Sequence, residues 1–180
     1  RLDGRGMEYC RLSEGNTGPA IEGIVVLTAD VPWGIEYEIR CDQDWRTRTV
    51  RLRARAGVED RELRLDVDPQ GRWKLNAQRR ADLEGCLDVD LGFSPSTNTL
   101  PIRRLRLNLN AHETITAAWV EFPSLAVHRV EQRYTRIRKD RYKYENLPTG
   151  FVAEVTVDAT GLVVSYPPGW ERLRLDLMRD

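Results

Sequence analysis

Apolar and polar residues alternate one by one along most of this chain of 180 residues. In segment 35–41 every second residue is apolar and the residues between them are charged, and segments 50–56 and 63–67 repeat the pattern. Successive side chains of a β-strand point to opposite faces, so this period of two predicts strands with one buried and one solvated face. A chain built almost entirely of such segments is predicted to be all-β.

Further strand candidates occur along the whole chain, at 7–12, 21–28, 72–76, 87–93, 113–122, 126–138, 141–145, 151–158 and 162–166. Turn-forming residues separate neighbouring candidates, as at 68–71 (Asp-Pro-Gln-Gly) and 148–150 (Pro-Thr-Gly). Ten or more short strands joined by hairpins predict a predominantly antiparallel barrel, roll or sandwich. The length of the chain predicts a single domain over residues 1–180.

Helical periodicity is scarce, and we predict at most one or two short helices. The best candidate is segment 99–106, where Asn98 or Thr99 could cap the first turn and Pro101 occupies a first-turn position. Ile102 and Leu105 are three residues apart, so they would share one face of this helix. The alternative is that Leu105 begins another strand.

Composition excludes several classes of partner. The chain has 28 basic and 28 acidic residues and no net charge, so we predict no nucleic-acid partner. No apolar run approaches the roughly 20 residues that a membrane-spanning helix needs. Cys10, Cys41 and Cys86 lack the spacing of metal ligands and are predicted to be reduced thiols, which favours a cytoplasmic location.

The two histidines, His112 and His128, have no cysteine or carboxylate at a spacing typical of a metal site. The chain also has no G-x-S-x-G motif and no phosphate-binding glycine loop. We therefore assign no catalytic residue, no metal ligand and no cofactor from the sequence.

The densest cluster of unusual residues is the central block 82–105, DLEGCLDVDLGFSPSTNTLPIRRL. The alternation from Leu87 to Phe93 places four apolar side chains on one face of a strand, and Asp88 and Asp90 share the opposite face. If the apolar face fills the core, the aspartates form an outer ridge. If the roll is open, they line a polar mouth together with arginines.

The strand parity breaks near residue 45. Arg46 and Arg48 fall on the same face as Val50, which is the apolar face of the following strand. One interpretation is that one of the two guanidinium groups enters the interior, where it needs a carboxylate or an anionic ligand, and Asp88 and Asp90 are the candidate partners. The alternative is that a β-bulge returns both arginines to water.

Glu36 and Glu38 form an E-x-E-x-R pattern with Arg40. This pattern is similar to the first strand of triphosphate tunnel metalloenzymes, in which it helps to coordinate a divalent metal and a triphosphate. Carboxylate oxygens suit Mg²⁺ or Mn²⁺, and arginines suit phosphate. The resemblance implies an alternative function, a metal-dependent enzyme that acts on a small phosphorylated or glycosylated substrate.

Five segments together resemble the bacterial putative glycolipid-binding family over about residues 37–170. They are YEIRCDQDWRTRTVRL, GCLDVDLGFSPSTNTLPIRRL, AAWVEFP, EQRYTRI and GFVAEVTVDATGLVVSYPPGW. The resemblance implies a spiral β-roll, an incompletely closed barrel related in shape to lipoprotein carriers. The glycolipid label itself derives from that shape.

We therefore predict a binding protein, with no catalytic role assigned, that holds an amphipathic small molecule, a glycolipid, in or at the mouth of the roll. The head group would meet the polar residues of the family motifs. The predicted ligand-binding residues are Arg46, Arg48, Asp88, Asp90, Asn98, Arg103, Gln132 and Tyr134. Sequence makes no prediction of the oligomeric state.

Overall fold

A computed structural model describes residues 1–16, 18–28 and 30–173 of the chain. The structure is all-β, with 58% strand and 8% helix, and one of its two sheets curls into a half-barrel. This confirms the predicted fold class. Residues 174–180, the end of the predicted single domain, lie outside the described residues, and the single-domain organisation stays a prediction.

The first sheet contains seven strands that follow one another in space in the same order as in the chain. All neighbouring strands in it are antiparallel. The strands are β1 (Gly6–Gly15), β2 (Gly18–Thr28), β3 (Pro32–Cys41), β4 (Thr47–Ala56), β5 (Glu59–Val67), β6 (Trp73–Leu75) and β7 (Gln78–Arg79).

The second sheet also contains seven strands and also keeps the chain order. Its first strand pairs parallel to the next one, and the remaining pairs are antiparallel. The strands are β8 (Asp88–Leu91), β9 (His112–Val120), β10 (Val127–Arg138), β11 (Arg141–Asn146), β12 (Phe151–Val157), β13 (Val163–Tyr166) and β14 (Trp170–Glu171).

Every strand predicted from the sequence is present, with bounds that differ by a few residues. The two strands that the sequence missed, β7 and β14, are two residues long, which is too short for a period of two to show. Two single-turn 3-10 helices, Ala81–Leu83 and Pro95–Asn98, were also not predicted.

The apolar faces of the strands form two core clusters. The larger one lies between the sheets and includes Ile35 and Val50 from the first sheet and Val89 and Val120 from the second. The smaller cluster joins the helix and the second sheet, and its members are Ile102, Ile115, Tyr134, Tyr142, Tyr144, Ala153, Val155 and Val157. The second sheet is therefore covered on both faces over part of its area.

The parallel connection from β8 to β9 contains the helix α1 (Thr99–Leu105), which confirms the predicted helix to within one residue. Leu100 packs into the larger cluster and Ile102 into the smaller one. Arg106 ends the helix in the left-handed conformation, with a φ of 46°. The helix consequently contributes to both clusters.

A β-bulge resolves the parity break near residue 45. Arg40 pairs with Thr49 and Cys41 pairs with Thr47, so Arg48 is the additional residue in β4. The bulge buries Trp45 and Thr47 and leaves Arg46 exposed. Arg48 is partly buried and donates to the Asp42 carboxylate at 2.7 Å and to the Asp68 carbonyl at 2.8 Å.

The ring of Tyr37 lies across Gly23, its register partner on the neighbouring strand. A Cβ atom on Gly23 would be 2.3 Å from two carbon atoms of that ring. The absence of a side chain at this position therefore lets a large aromatic residue pack flat on β2.

We expect Gly23→Ala to destabilise the protein by about 1–3 kcal/mol, because the ring of Tyr37 would have to leave its packed position. Gly34→Ala is the matched control, since Gly34 lies on the adjacent strand with no atom within 4 Å of its Cβ position. Urea denaturation measures both. Equal midpoints for the two variants would contradict the close packing at Gly23.

Candidate functional site

Both faces of strand β8 are largely buried. Val89 and Leu91 enter the larger core cluster, whereas Asp88 and Asp90 point to the opposite side, where α1 and β10 cover them. The prediction that Leu87 belongs to the buried face is wrong, since this residue precedes the strand and is 38% exposed. The aspartates are therefore not an outer ridge.

Asp88 is 1% exposed and forms a two-point ion pair with Arg104 of α1. The Arg104 Nε atom donates to Oδ1 at 3.1 Å and Nη2 donates to Oδ2 at 2.5 Å. Burial raises the pKa of Asp88, and the guanidinium opposes that rise. The idea that Arg46 or Arg48 neutralises the aspartates is thus wrong, because the bulge in β4 directs both arginines elsewhere.

Asp90 lies two residues further along the same face and is only partly buried. Gln132 Nε2 donates to its Oδ2 at 2.6 Å, and Thr97 Oγ1 donates to Oδ1 at 3.1 Å. No lysine, arginine or histidine among the described residues forms a salt bridge with it. Burial raises the pKa of Asp90, and the two hydrogen bonds lower it.

Asn98 and Tyr134 form a second buried polar pair beside Asp90. The Tyr134 hydroxyl donates to Asn98 Oδ1 at 2.9 Å, and Asn98 Nδ2 donates to the Pro95 carbonyl at 3.0 Å. Burial raises the pKa of Tyr134, and the nearby Asp90 carboxylate raises it further. These bonds hold the loop before α1 against the middle of β10.

A cleft of about 400 Å³ opens next to these groups, and Asp90 and Asn98 are part of its wall. Its polar wall also includes Ser94, Asn146 and Thr149. Its aromatic wall consists of Phe93, Trp119, Tyr144, Phe151, Tyr166 and Trp170. We call this space, with these residues, the β8 cleft.

Three rings of the aromatic wall are mutual neighbours. The ring centroids of Tyr144 and Phe151 are 6.2 Å apart, those of Tyr144 and Tyr166 are 6.2 Å apart, and those of Phe151 and Tyr166 are 6.3 Å apart. Phe151 is 40% exposed, so part of this aromatic surface is open to a ligand.

A hydrogen-bonded cluster lies behind Ser94 at the edge of the cleft. Ser94 donates to Glu8 Oε1 at 2.6 Å, Tyr37 donates to the same oxygen at 2.5 Å, and Ser96 lies 2.7 Å from the Tyr37 hydroxyl. Burial raises the pKa of Glu8, and the two hydroxyl donors oppose it. The cluster ties the first sheet to the loop that carries Ser94.

The structure divides the ligand-binding residues predicted from the sequence into two groups. Asp90 and Asn98 line the β8 cleft, Gln132 and Tyr134 support them from behind, and Asp88 lies deeper. Arg46, Arg48 and Arg103 are not among the cleft residues.

Arg103 stacks on Trp45, an aromatic residue that is not part of the β8 cleft. Its guanidinium lies 4.5 Å from the ring centroid of Trp45 and donates to Glu14 at 2.9 Å and to the Thr160 carbonyl at 3.1 Å. These contacts connect α1 with β1, with the β3–β4 loop and with the β12–β13 turn.

The E-x-E-x-R pattern lies on the outer face of β3. Glu38 pairs with Arg40, and Glu36 lies 3.6 Å from Arg55 of β4. A shallow depression on this face is lined by acidic and basic residues of three neighbouring strands. Within residues 1–16, 18–28 and 30–173, no group of three or more histidine, cysteine or acidic side chains is arranged to hold a metal ion.

Sequence reasoning missed most of the aromatic wall. The alternation in β11 places Tyr144 and Asn146 on one face, and the signal for a turn at 148–150 precedes Phe151. These patterns located the elements, but they could not indicate that β11, β12 and β14 meet the loop after β8. Only the tertiary structure brings them together.

Comparisons with known proteins agree with this architecture. A family model described as "Putative glycolipid-binding" matches residues 1–172. The crystal structure of a DUF1089 family protein from Pseudomonas aeruginosa is similar to this chain, with a TM-score of 0.86 and 33% sequence identity. The match covers 94% of this chain and 92% of that chain.

A search of curated proteins finds no match. Among the helices in the described part of the chain, none has the length and apolar character needed to cross a membrane.

We expect Arg104→Met to destabilise the protein by about 3–5 kcal/mol at pH 7, because Asp88 would remain buried and unpaired. The folded-state pKa of Asp88 is raised, so its ionisation costs stability as the pH rises from about 4 upward. The loss in the free energy of unfolding of the variant, relative to the wild type, should therefore be larger at pH 7 than at pH 4.

Chemical denaturation at the two pH values measures this deficit. Arg51→Met, at an exposed position on β4, controls for the loss of an arginine. A deficit below about 1 kcal/mol, or one that does not change with pH, would show that the pair does not compensate the buried charge of Asp88.

Proposed function

The chain belongs to the putative glycolipid-binding family, and we propose that it binds an amphipathic ligand, a glycolipid, through the β8 cleft. The observation that carries this proposal is the composition of the cleft wall. The cleft is bordered on one side by aromatic rings that are open to a ligand. On another side it is bordered by the carboxylate of Asp90, which has no salt-bridge partner in the described chain. Ligand sites of proteins combine an apolar wall with a few fixed polar groups in the same way.

The size of the cleft defines which part of a glycolipid it could hold. About 400 Å³ is near the lower end of the range for small-molecule sites. This space suits a saccharide head group and the beginning of an alkyl chain. The remaining alkyl chain would then lie outside the cleft.

The proposal gives the cleft residues different roles. Asp90 and Asn98 would contact the hydroxyl groups of the head group, and Phe151 and Tyr166 would contact its apolar face. Gln132 and Tyr134 would position Asp90 and Asn98, because their hydrogen bonds fix those side chains. Arg46, Arg48 and Arg103 have no role in this proposal, since other contacts engage Arg48 and Arg103 and Arg46 is exposed.

The proposed cytoplasmic location agrees with the thiols of the three cysteines. Cys10, Cys41 and Cys86 are free. Burial raises the pKa of Cys10 to about 11 and that of Cys41 to about 12, so both are protonated and unreactive at neutral pH.

A panel of octyl hexosides with gluco, galacto and manno head groups tests the proposed binding by calorimetric titration below their micelle concentrations. We expect at least one member to bind. Phe151→Ala should weaken that binding by about fivefold, because an aromatic contact contributes about 1 kcal/mol.

Val152→Ala is the matched control, since Val152 is the next residue of β12, is 51% exposed and lies on the opposite face of the strand. Its affinity should equal that of the wild type. The absence of binding by every hexoside, together with the absence of any lipid that co-purifies in native mass spectrometry, would refute the proposal.

A further inference from the structure

The charged groups of the β8 cleft are distributed unevenly. Asp90 is the one acidic residue among the described cleft residues, and Arg1 is the one basic residue. The Arg1 guanidinium is paired with Asp3 at 3.0 Å and lies 5.8 Å from the ring centroid of Trp170. The cation at the rim is therefore engaged, whereas the anion in the wall has no charged partner in the described chain.

Asp90 retains capacity to accept further hydrogen bonds. An ionised carboxylate can accept about four, and the structure supplies two, from Gln132 and Thr97. Both donors are neutral, so they orient the carboxylate without cancelling its charge. A ligand with O–H donors would fill the remaining sites, whereas an anionic ligand would meet uncompensated repulsion at low dielectric.

The ion pair of Asp88 with Arg104 also favours an uncharged ligand over an anionic one. The Asp88 carboxylate lies two residues away on the same face of β8, and its charge is neutralised by Arg104. Arg104 is thereby occupied, and its side chain, which is 13% exposed, is not part of the cleft wall. This arginine is consequently not available to bind a phosphate or a carboxylate of a ligand.

The aromatic wall selects the shape of the head group. Phe151 and Tyr166 place their rings 6.3 Å apart beside the open space, and Trp170 lies on the same rim. Aromatic faces carry negative partial charge, which attracts the polarised C–H groups on the flat face of a pyranose ring and disfavours an anion. The rings and Asp90 therefore favour the same class of head group.

We infer that the β8 cleft selects an uncharged saccharide head group and excludes head groups that carry phosphate, sulfate or carboxylate, with Asp90 as the residue that determines this specificity. The inference rests on the proposed function, because it assumes that the head group occupies this cleft. It differs from the prediction from the sequence that Arg46, Arg48 and Arg103 bind the head group.

The test compares two probes that differ only in the group at C6, which is uncharged in one and anionic in the other. Each octyl hexoside of the panel is paired with its uronide, in which a carboxylate replaces the C6 hydroxymethyl group. The affinity of the wild type for both is measured by calorimetric titration at pH 8. We expect the uncharged member to bind at least about tenfold more tightly.

Asp90→Asn removes the charge while it keeps the size of the side chain and can still accept from Gln132. We expect this variant to bind the uncharged hexoside more weakly than the wild type and to discriminate between the two probes by less than about threefold. Glu131→Gln is the control, since Glu131 is an exposed residue of β10 next to Gln132. It should retain the preference of the wild type.

Failure of this inference is distinguishable from failure of the proposed function. If hexosides and uronides bind the wild type equally, or the uronides bind more tightly, the cleft binds glycosides but the charge selection is wrong. If Asp90→Asn and Glu131→Gln both keep the wild-type preference, Asp90 is not its origin. If no probe binds, the inference is wrong, and the proposed function is wrong as well if no lipid co-purifies in native mass spectrometry.

Discussion

The burial of β8 on both faces is the constraint on which the rest of the structure depends. Most strands of this protein have one apolar and one solvated face, but β8 separates two apolar clusters and carries two aspartates. Buried carboxylates need hydrogen bonds or a cation. Three different elements supply them, since Arg104 comes from α1, Gln132 from β10 and Thr97 from the loop before the helix. The position of α1 beside β8 follows from these contacts.

The two aspartates are chemically different although they are only two residues apart. Asp88 has a cation at 2.5 Å and almost no exposure, so its role is to connect β8 with the helix. Asp90 has two neutral donors and lies at the wall of a cleft. A charge that is held in place but not neutralised is costly unless something else binds to it. In the function that we propose, Asp90 is therefore the centre of the ligand site, and Asp88 is a structural residue.

The hydroxyl cluster at Ser94 explains how the first sheet contributes to this site. Tyr37 packs on Gly23 and reaches Glu8 and Ser96, so strands β1, β2 and β3 all hold the loop that borders the cleft. Ser94 belongs to both the cluster and the cleft wall. The first sheet thus fixes one edge of the cleft, while the second sheet supplies most of its aromatic wall.

The amino-acid sequence by itself determined the all-β class, the positions of twelve strands, the short helix at 99–106 to within one residue, and the family to which the chain belongs. These features are local, because the alternation of side chains and the turn residues act over a few positions. Only the tertiary structure decided that a bulge at Arg48 turns Arg46 and Arg48 away from the aspartates and that Arg104 is the partner of Asp88. It also brought Asn98, Phe151 and Trp170 to one cleft. Such contacts depend on how far each sheet curls and on which elements close its open side, and no short sequence pattern records that.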